Sequence, residues 1–309
     1  MFYEDLFDDE VEMIFDADLN TLTTVKTGGK AKVVVSPNSS EQLIKIIRIV
    51  KQNKIPFFIL GNGSNVLASD KGFNGVIIKP GRFLSQIFFE KDLIAAEAGA
   101  TTAMLANFAM QYGLTGAEFL STIPATVGGA VAMNAGCFGY TVKDKVQKVI
   151  AADENGEHVF YANQLMFGYR TSIFENNGMV IIRAYFKFEQ SDKEKVEEVM
   201  AKLKSLKRNL QPLDFPSFGS VFKRHEGISP AIMIDKLGFK GLTVGGAKVS
   251  EKHAGFFVNT GKATTEDFLT LINIVGSKVY EVYGVKLKTE VKYLGDTDDL
   301  GRLSYSYGV

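Results

Sequence analysis

Three short stretches of small residues could hold a large polar ligand against bare main chain. The longest is Ile123-Pro124-Ala125-Thr126-Val127-Gly128-Gly129-Ala130-Val131-Ala132-Met133-Asn134-Ala135-Gly136. No bulky polar side chain interrupts it, and paired glycines let a backbone approach a ligand closely. A helix starting there would turn free N–H groups toward a phosphate. Thr126 and Asn134 add polar groups that packing does not call for; the competing reading is a tight helix–strand junction. The second stretch, Gly61-Asn62-Gly63-Ser64-Asn65, follows a short apolar run. It begins like a dinucleotide fingerprint, but Val66 stands where a third glycine belongs, so the motif alone is weak. Successive amides in such a turn can form an anion nest, or the segment is simply a turn. Thr27-Gly28-Gly29 is the third stretch, and by itself it reads as a turn before a strand. The three together point to a long cofactor carrying a diphosphate.

Three side chains in the second half of the chain could do chemistry. Arg170, within Gly168-Tyr169-Arg170-Thr171-Ser172-Ile173-Phe174, suits a clamp on a planar carboxylate or ring carbonyl, or a structural ion pair. Ser220, within Phe218-Gly219-Ser220-Val221-Phe222-Lys223-Arg224, is not on a Gly-x-Ser-x-Gly elbow, which disfavours hydrolase chemistry. Held away from water it could donate a proton; otherwise it is a turn serine. Glu290 lies in Leu287-Lys288-Thr289-Glu290-Val291. Read as a strand, this segment turns Glu290 to the face opposite Thr289 and Val291, and an exposed strand glutamate is the plain alternative.

Composition removes several function classes. Among 309 residues, 46% are hydrophobic and 23% charged, enough for more than one packed core and far from disordered composition. Lys+Arg and Asp+Glu are both 35, so phosphate neutralisation of a nucleic acid is not expected. The single cysteine, Cys137, rules out an internal disulfide, and His158, His225 and His253 lie too far apart for metal-ligand spacing, so no metal is expected. The acidic start reads as no signal peptide, and no apolar run has membrane-spanning length. A cytoplasmic monomer is the expectation.

Local patterns place these segments on elements. Ala31–Ser36, Ile55–Leu60, Val76–Ile78, Leu93–Ala96, Met179–Phe188, Phe256–Val258 and Val285–Leu294 read as strands. Ser39 with Gln42 opens a helix to Gln52, and Thr101 or Thr102 opens another to Tyr112 with Gly113 as its stop. Ser191 with Glu194 opens a lysine- and glutamate-rich helix to about Arg208. Ser229-Pro230 starts a short helix that Gly238 ends, and Thr264 caps a long one to Tyr283. Pro212 and Pro216 follow a domain boundary near 206–212.

The motifs taken together resemble the UDP-N-acetylenolpyruvoylglucosamine reductase (MurB) family of flavoenzymes in peptidoglycan precursor synthesis. The resemblance runs from about Thr23 to Gly295. Beyond the segments above, it includes Gly245-Gly246-Ala247, Val249-Ser250-Glu251-Lys252-His253-Ala254 and Val258-Asn259-Thr260-Gly261. The pattern is that of the shorter subtype, without an extra tyrosine-bearing loop. It implies an α+β fold. Residues 1–208 would form an FAD-binding domain of the vanillyl-alcohol-oxidase type, with subdomains at roughly 1–82 and 83–208. A smaller α+β substrate-binding domain would follow at 209–295, then a tail at 296–309.

The resemblance also implies non-covalent FAD, reduced by NADPH. Hydride would then pass to the vinyl carbon of UDP-N-acetylglucosamine enolpyruvate, giving UDP-N-acetylmuramate. Ser220 matches the general acid, and Arg170 with Glu290 matches the pair that orients and polarises the enolpyruvyl carboxylate. FAD contacts would come from Thr27, Gly28, Gly61, Asn62, Gly63, Ser64 and Asn65. Further contacts would come from Ile123, Pro124, Ala125, Thr126, Gly128, Gly129, Ala130, Asn134, Ala135 and Gly136. Tyr169, Gln211, Lys223 and Arg224 would bind substrate. The chain departs from the family pattern at Thr122 and Ala125 (usually glycine), at Arg224 and Gly255 (usually asparagine), and at Lys288-Thr289, where proline often precedes the glutamate. The competing expectations are another flavin oxidoreductase of the same superfamily and a non-catalytic FAD-binding relative, the latter having no use for Ser220, Arg170 and Glu290.

Overall fold

The computed structural model describes residues 6–7, 11–175 and 177–295. The tail expected from Asp296 onward lies outside them. The chain divides into two compact units. The first takes the described residues of Met1–Phe15, Val33–Asn62 and Gly75–Lys207, and the second those of Asp16–Lys32, Gly63–Asn74 and Arg208–Val309. Antiparallel sheets with helices packed beside them make the architecture α+β.

The first unit has two cores. One lies on a five-stranded antiparallel sheet in the order Gly156–Tyr161, Val146–Asp153, Val180–Phe186, Leu93–Glu97, Ile87–Glu90. Helices Thr102–Gln111 and Val127–Ala132 contribute Leu105, Ala106, Val127 and Val131 to it. Thr101, not Thr102, caps the former, its hydroxyl accepting from Met104 N at 3.1 Å. In the other core, Leu43, Ile46, Ile47 and Val50 form the buried face of helix Ser40–Gln52 and meet Val33, Val35, Val76 and Ile78. Strand Phe57–Ile59 pairs in parallel with 76–78, shorter than the Ile55–Leu60 run suggested.

The second unit is built on the antiparallel sheet Ser217–Ser220, Phe256–Asn259, Ala247–Val249, Thr243–Val244. Helix Thr265–Tyr283 covers its core with Phe268, Leu271, Ile272, Val275 and Val279. Thr264 and Asp267 form a capping box at its start. Asp70 adds a second cap, accepting from Thr265 N at 2.9 Å and Glu266 N at 3.0 Å. Two first-turn donors and the positive end of the helix dipole therefore depend on one carboxylate. Asp70→Ala is expected to lower stability by about 1 kcal/mol, read as a lower urea midpoint with unchanged slope. An unchanged midpoint would show that water replaces this cap without loss.

The expected last strand, Val285–Leu294, is only Lys292–Leu294, paired in parallel with Val66–Ala68. Glu290 lies ahead of that strand, where residues 288–290 make a separate, local antiparallel pairing with residues 221–223, described below.

Candidate active site

The loop 61–65 connects strand Phe57–Ile59 to strand Val66–Ala68. None of its five amide N–H groups donates to a described residue. Buried or half-buried amides are almost always paired, so a run of five calls for water or an anion. The arrangement is compatible with the anion nest expected from the sequence. Within the first unit, Asn62 Nδ2 donates to Pro124 O at 3.4 Å, and a Cβ built on Gly61 would stand 2.5 Å from Thr126 Oγ1. The ends of two small-residue stretches are thereby in contact. Within the second unit, Thr24 N donates to Gly63 O at 3.2 Å. The amides of Thr27 and Gly28 likewise donate to no described residue, while the Thr27 hydroxyl is engaged by Thr265 Oγ1 at 2.9 Å.

The 123–136 stretch corrects one expectation. A helix does start there, at Val127, but its first amides are not free. Val127 N donates to Ala100 O (2.8 Å), Gly128 N to Ala98 O (2.9 Å), Gly129 N to Thr126 Oγ1 (3.2 Å) and Ala130 N to Thr126 O (2.8 Å). Gly128 is required by close packing: its Cβ would lie 2.9 Å from that of Ala98. Thr126 is the helix cap, and Asn134 is a brace. In the left-handed region at φ 42°, which asparagine tolerates, Asn134 donates to Gly168 O (2.8 Å) and accepts from Lys143 N (3.0 Å). The polar groups that seemed surplus to packing thus hold the stretch together. What this stretch leaves for a ligand is a surface of small residues, half-buried Ala125 and Ala135 and exposed Gly129 among them.

Arg170 belongs to this same site. It sits in a tight turn, Gly168 N donating to Thr171 O at 3.1 Å, with φ of 58°. A non-glycine residue held there carries strain that the surroundings must impose. They do so by stapling 168–172 onto 132–136: Arg170 Nη2 donates to Gly136 O (2.9 Å), Arg170 Nη1 to Asn134 O (3.4 Å) and Ser172 Oγ to Ala132 O (2.7 Å). The guanidinium also lies 5.0 Å over the ring of half-exposed Tyr169. Burial pushes the thiol of nearby Cys137 above its ordinary range, and its Sγ lies 3.2 Å from Thr122 Oγ1.

Ser220 and Glu290 come together in the second unit. Strand Ser217–Ser220 carries a bulge: Ser217 faces Val258 and Ser220 faces Phe256, with the register shifted between them. Gly219, at φ 81°, supplies the conformation that makes this possible. The bulge re-aims Ser220 while Phe218, packed edge-on against Phe268 at 5.3 Å, anchors the strand below. The Ser220 hydroxyl makes no hydrogen bond to any described residue. Residues 288–290 lie antiparallel to 221–223, Glu290 N donating to Val221 O and Lys223 N to Lys288 O, both at 2.8 Å. Asn65 fixes the same segment from the glycine-rich loop: its Nδ2 donates to Glu290 O, and its carbonyl accepts from Lys292 N, both at 3.0 Å. Sequence reasoning put Asn65 among cofactor contacts and missed this hold on Glu290. No local signal could reveal a contact 225 residues away.

The remaining predicted residues flank these groups. Gln211 follows helix Lys193–Leu210, and Lys223 and Arg224 precede the two-residue hairpin turn closed by His225 and Ile228. Arg224 is exposed and donates to Gly227 O at 3.3 Å. Gly255 leaves little room for a side chain, since a Cβ would stand 3.0 Å from the His253 ring.

A family model described as "UDP-N-acetylenolpyruvoylglucosamine reductase, C-terminal domain" matches residues 211–294, which contain Ser220 and Glu290. A second, described as "FAD binding domain", matches residues 31–161. The UDP-N-acetylenolpyruvoylglucosamine reductase of Caldanaerobacter subterraneus subsp. tengcongensis is 43% identical over 288 residues, covering 93% of this chain and 95% of that one. The chain belongs to the UDP-N-acetylenolpyruvoylglucosamine reductase family. The reductase of Alkaliphilus oremlandii is 40% identical, covering 92% of this chain and 94% of that one. The crystal structure of the family member from Thermus caldophilus superposes with a TM-score of 0.78 at 32% identity, covering 92% of this chain and 99% of that one. The fold is thus the family's α+β arrangement with an FAD-binding domain. No helix among the described residues is long and apolar enough to cross a membrane.

Proposed function

We propose that the protein is an FAD-dependent reductase that converts UDP-N-acetylglucosamine enolpyruvate and NADPH to UDP-N-acetylmuramate and NADP⁺. It would act as a cytoplasmic monomer in peptidoglycan precursor synthesis, needing neither nucleic acid nor membrane. The observation that carries the reading is the pairing of 288–290 with 221–223, which sets Glu290 beside the bulge that presents Ser220. These are the two side chains this chemistry needs from one domain.

FAD would lie on the amides of 61–65 and the small-residue surface of 123–136, and when bound it would supply the substrate's terminal vinyl carbon with a hydride that it had itself taken from NADPH. Addition of hydride there builds negative charge on the neighbouring carbon and its carboxylate. Arg170, a fixed cation held by Gly136 O and Asn134 O, stabilises that charge without reorganising. Ser220 donates the proton that the neighbouring carbon takes up, which completes addition of two hydrogens across the double bond. Glu290 aligns the enolpyruvyl group, its backbone held on both sides by Val221 and Asn65. Tyr169, Gln211, Lys223 and Arg224 bind the nucleotide sugar, and Arg224 in place of the usual asparagine offers its diphosphate a cation. The rest of the proposed domain division assigns 1–208 to FAD and 209–295 to substrate.

The direct test is the product. Incubation with NADPH and UDP-N-acetylglucosamine enolpyruvate should yield a nucleotide heavier by two hydrogens, with deuterium on the carbon beside the carboxylate when the reaction is run in D2O. NADPH oxidation that leaves the enolpyruvyl compound unchanged would rule out this substrate.

A further inference from the structure

Lys79 directly follows the strand Phe73–Ile78. Its backbone N–H donates to Val35 O at 2.9 Å, and its side chain turns in to donate to Gly61 O at 3.0 Å. That carbonyl is the only hydrogen-bond partner of the ammonium among the described residues, and no carboxylate pairs with it. Burial pushes its pKa below the ordinary lysine range. A half-buried cation without a counter-charge is costly to keep, so its place at the first residue of the glycine-rich loop calls for an explanation.

Peptide geometry supplies one. A trans peptide is planar, and its C=O and N–H point in opposite directions. With Gly61 C=O turned to Lys79, the N–H of Asn62, which donates to no described residue, points to the other side. A side chain at position 61 would meet Thr126, since a Cβ there would stand 2.5 Å from its hydroxyl. Glycine otherwise leaves this peptide free to turn over. We propose that Lys79 is a positioning residue for the cofactor: it locks the Gly61–Asn62 peptide so that the Asn62 amide faces the diphosphate, and it leaves a fixed positive charge behind that peptide. The inference rests on the FAD reading above and extends it to a residue outside the glycine-rich motifs.

Apoprotein titrated with FAD by flavin fluorescence, at low and high salt, tests it. Lys79→Met should bind FAD about tenfold more weakly at low salt, the loss expected for one charge-assisted hydrogen bond. Its affinity should also depend less on salt than that of the wild type. Lys79→Arg should recover most of the affinity. The melting temperature of the apoprotein serves as the structural control, and Lys79→Gln, which keeps a donor but no charge, replaces Lys79→Met if that variant does not fold. Equal FAD affinity in wild type and Lys79→Met overturns the proposal, as does a loss with unchanged salt dependence. Wild-type protein that binds no FAD at all overturns the cofactor reading itself, and the proposal with it.

Discussion

Ser220→Ala should leave reduction of the flavin by NADPH intact and slow its reoxidation by UDP-N-acetylglucosamine enolpyruvate by about 10³-fold, within the range that a positioned general acid contributes. The two half-reactions separate because only the second needs a proton delivered to carbon. The fold should survive. Ser220 is half-buried, its hydroxyl bonds to no described residue, and the bulge is set by Gly219 and by the anchoring of Phe218. Stopped-flow absorbance of the flavin, with each reactant added in turn, reads both steps. Equal loss in the two half-reactions would remove Ser220 from the acid role and make it a binding or structural residue.

Arg170→Ala should slow the same second half-reaction by about 10²- to 10³-fold, as loss of a preorganised charge does, and should also weaken FAD retention. The second effect follows from geometry. Arg170 donates to Gly136 O and Asn134 O, so it braces the stretch proposed to lie along the cofactor. Arg170→Lys should recover little, because an ammonium is a single point charge and cannot reproduce the planar fork that reaches two carbonyls. Turnover at the wild-type rate in Arg170→Ala would sink the assignment. Loss of FAD with normal turnover in saturating FAD would keep the brace and remove the electrostatic role.

The parts of this protein that were legible in sequence are those fixed by short-range chemistry. Thr101 and Thr264 announce helix starts because a hydroxyl at that position accepts from an amide three residues on. The Gly61–Asn65 loop reads as a turn or an anion nest from its glycine spacing, and its five amides donate to no described residue. The reason for a glycine is less legible than the glycine itself: Gly128 looked like a place for a ligand to approach, and it is a place where Ala98 approaches. Likewise Thr126 and Asn134 looked available, and each is engaged by backbone brought from elsewhere in the chain or from the adjoining helix. Val285–Leu294 read as one strand because its apolar alternation fits one, whereas it divides between a bridge of Thr289 with Phe222 and the strand Lys292–Leu294 paired with Val66–Ala68. Lys79 carried no motif. A lysine closing an apolar run looks like an exposed strand end, and only its contact with Gly61 gives it meaning.

The central claim is that this chain carries a flavin that accepts electrons from NADPH and yields them to an enolpyruvyl nucleotide sugar. The visible spectrum of the purified protein under anaerobic conditions tests it most directly, with NADPH added first and UDP-N-acetylglucosamine enolpyruvate second. The account predicts a flavin band that bleaches with NADPH and returns with the substrate. A band that bleaches and stays bleached would contradict the substrate, and a protein that shows no flavin even after reconstitution with FAD would contradict the claim as a whole.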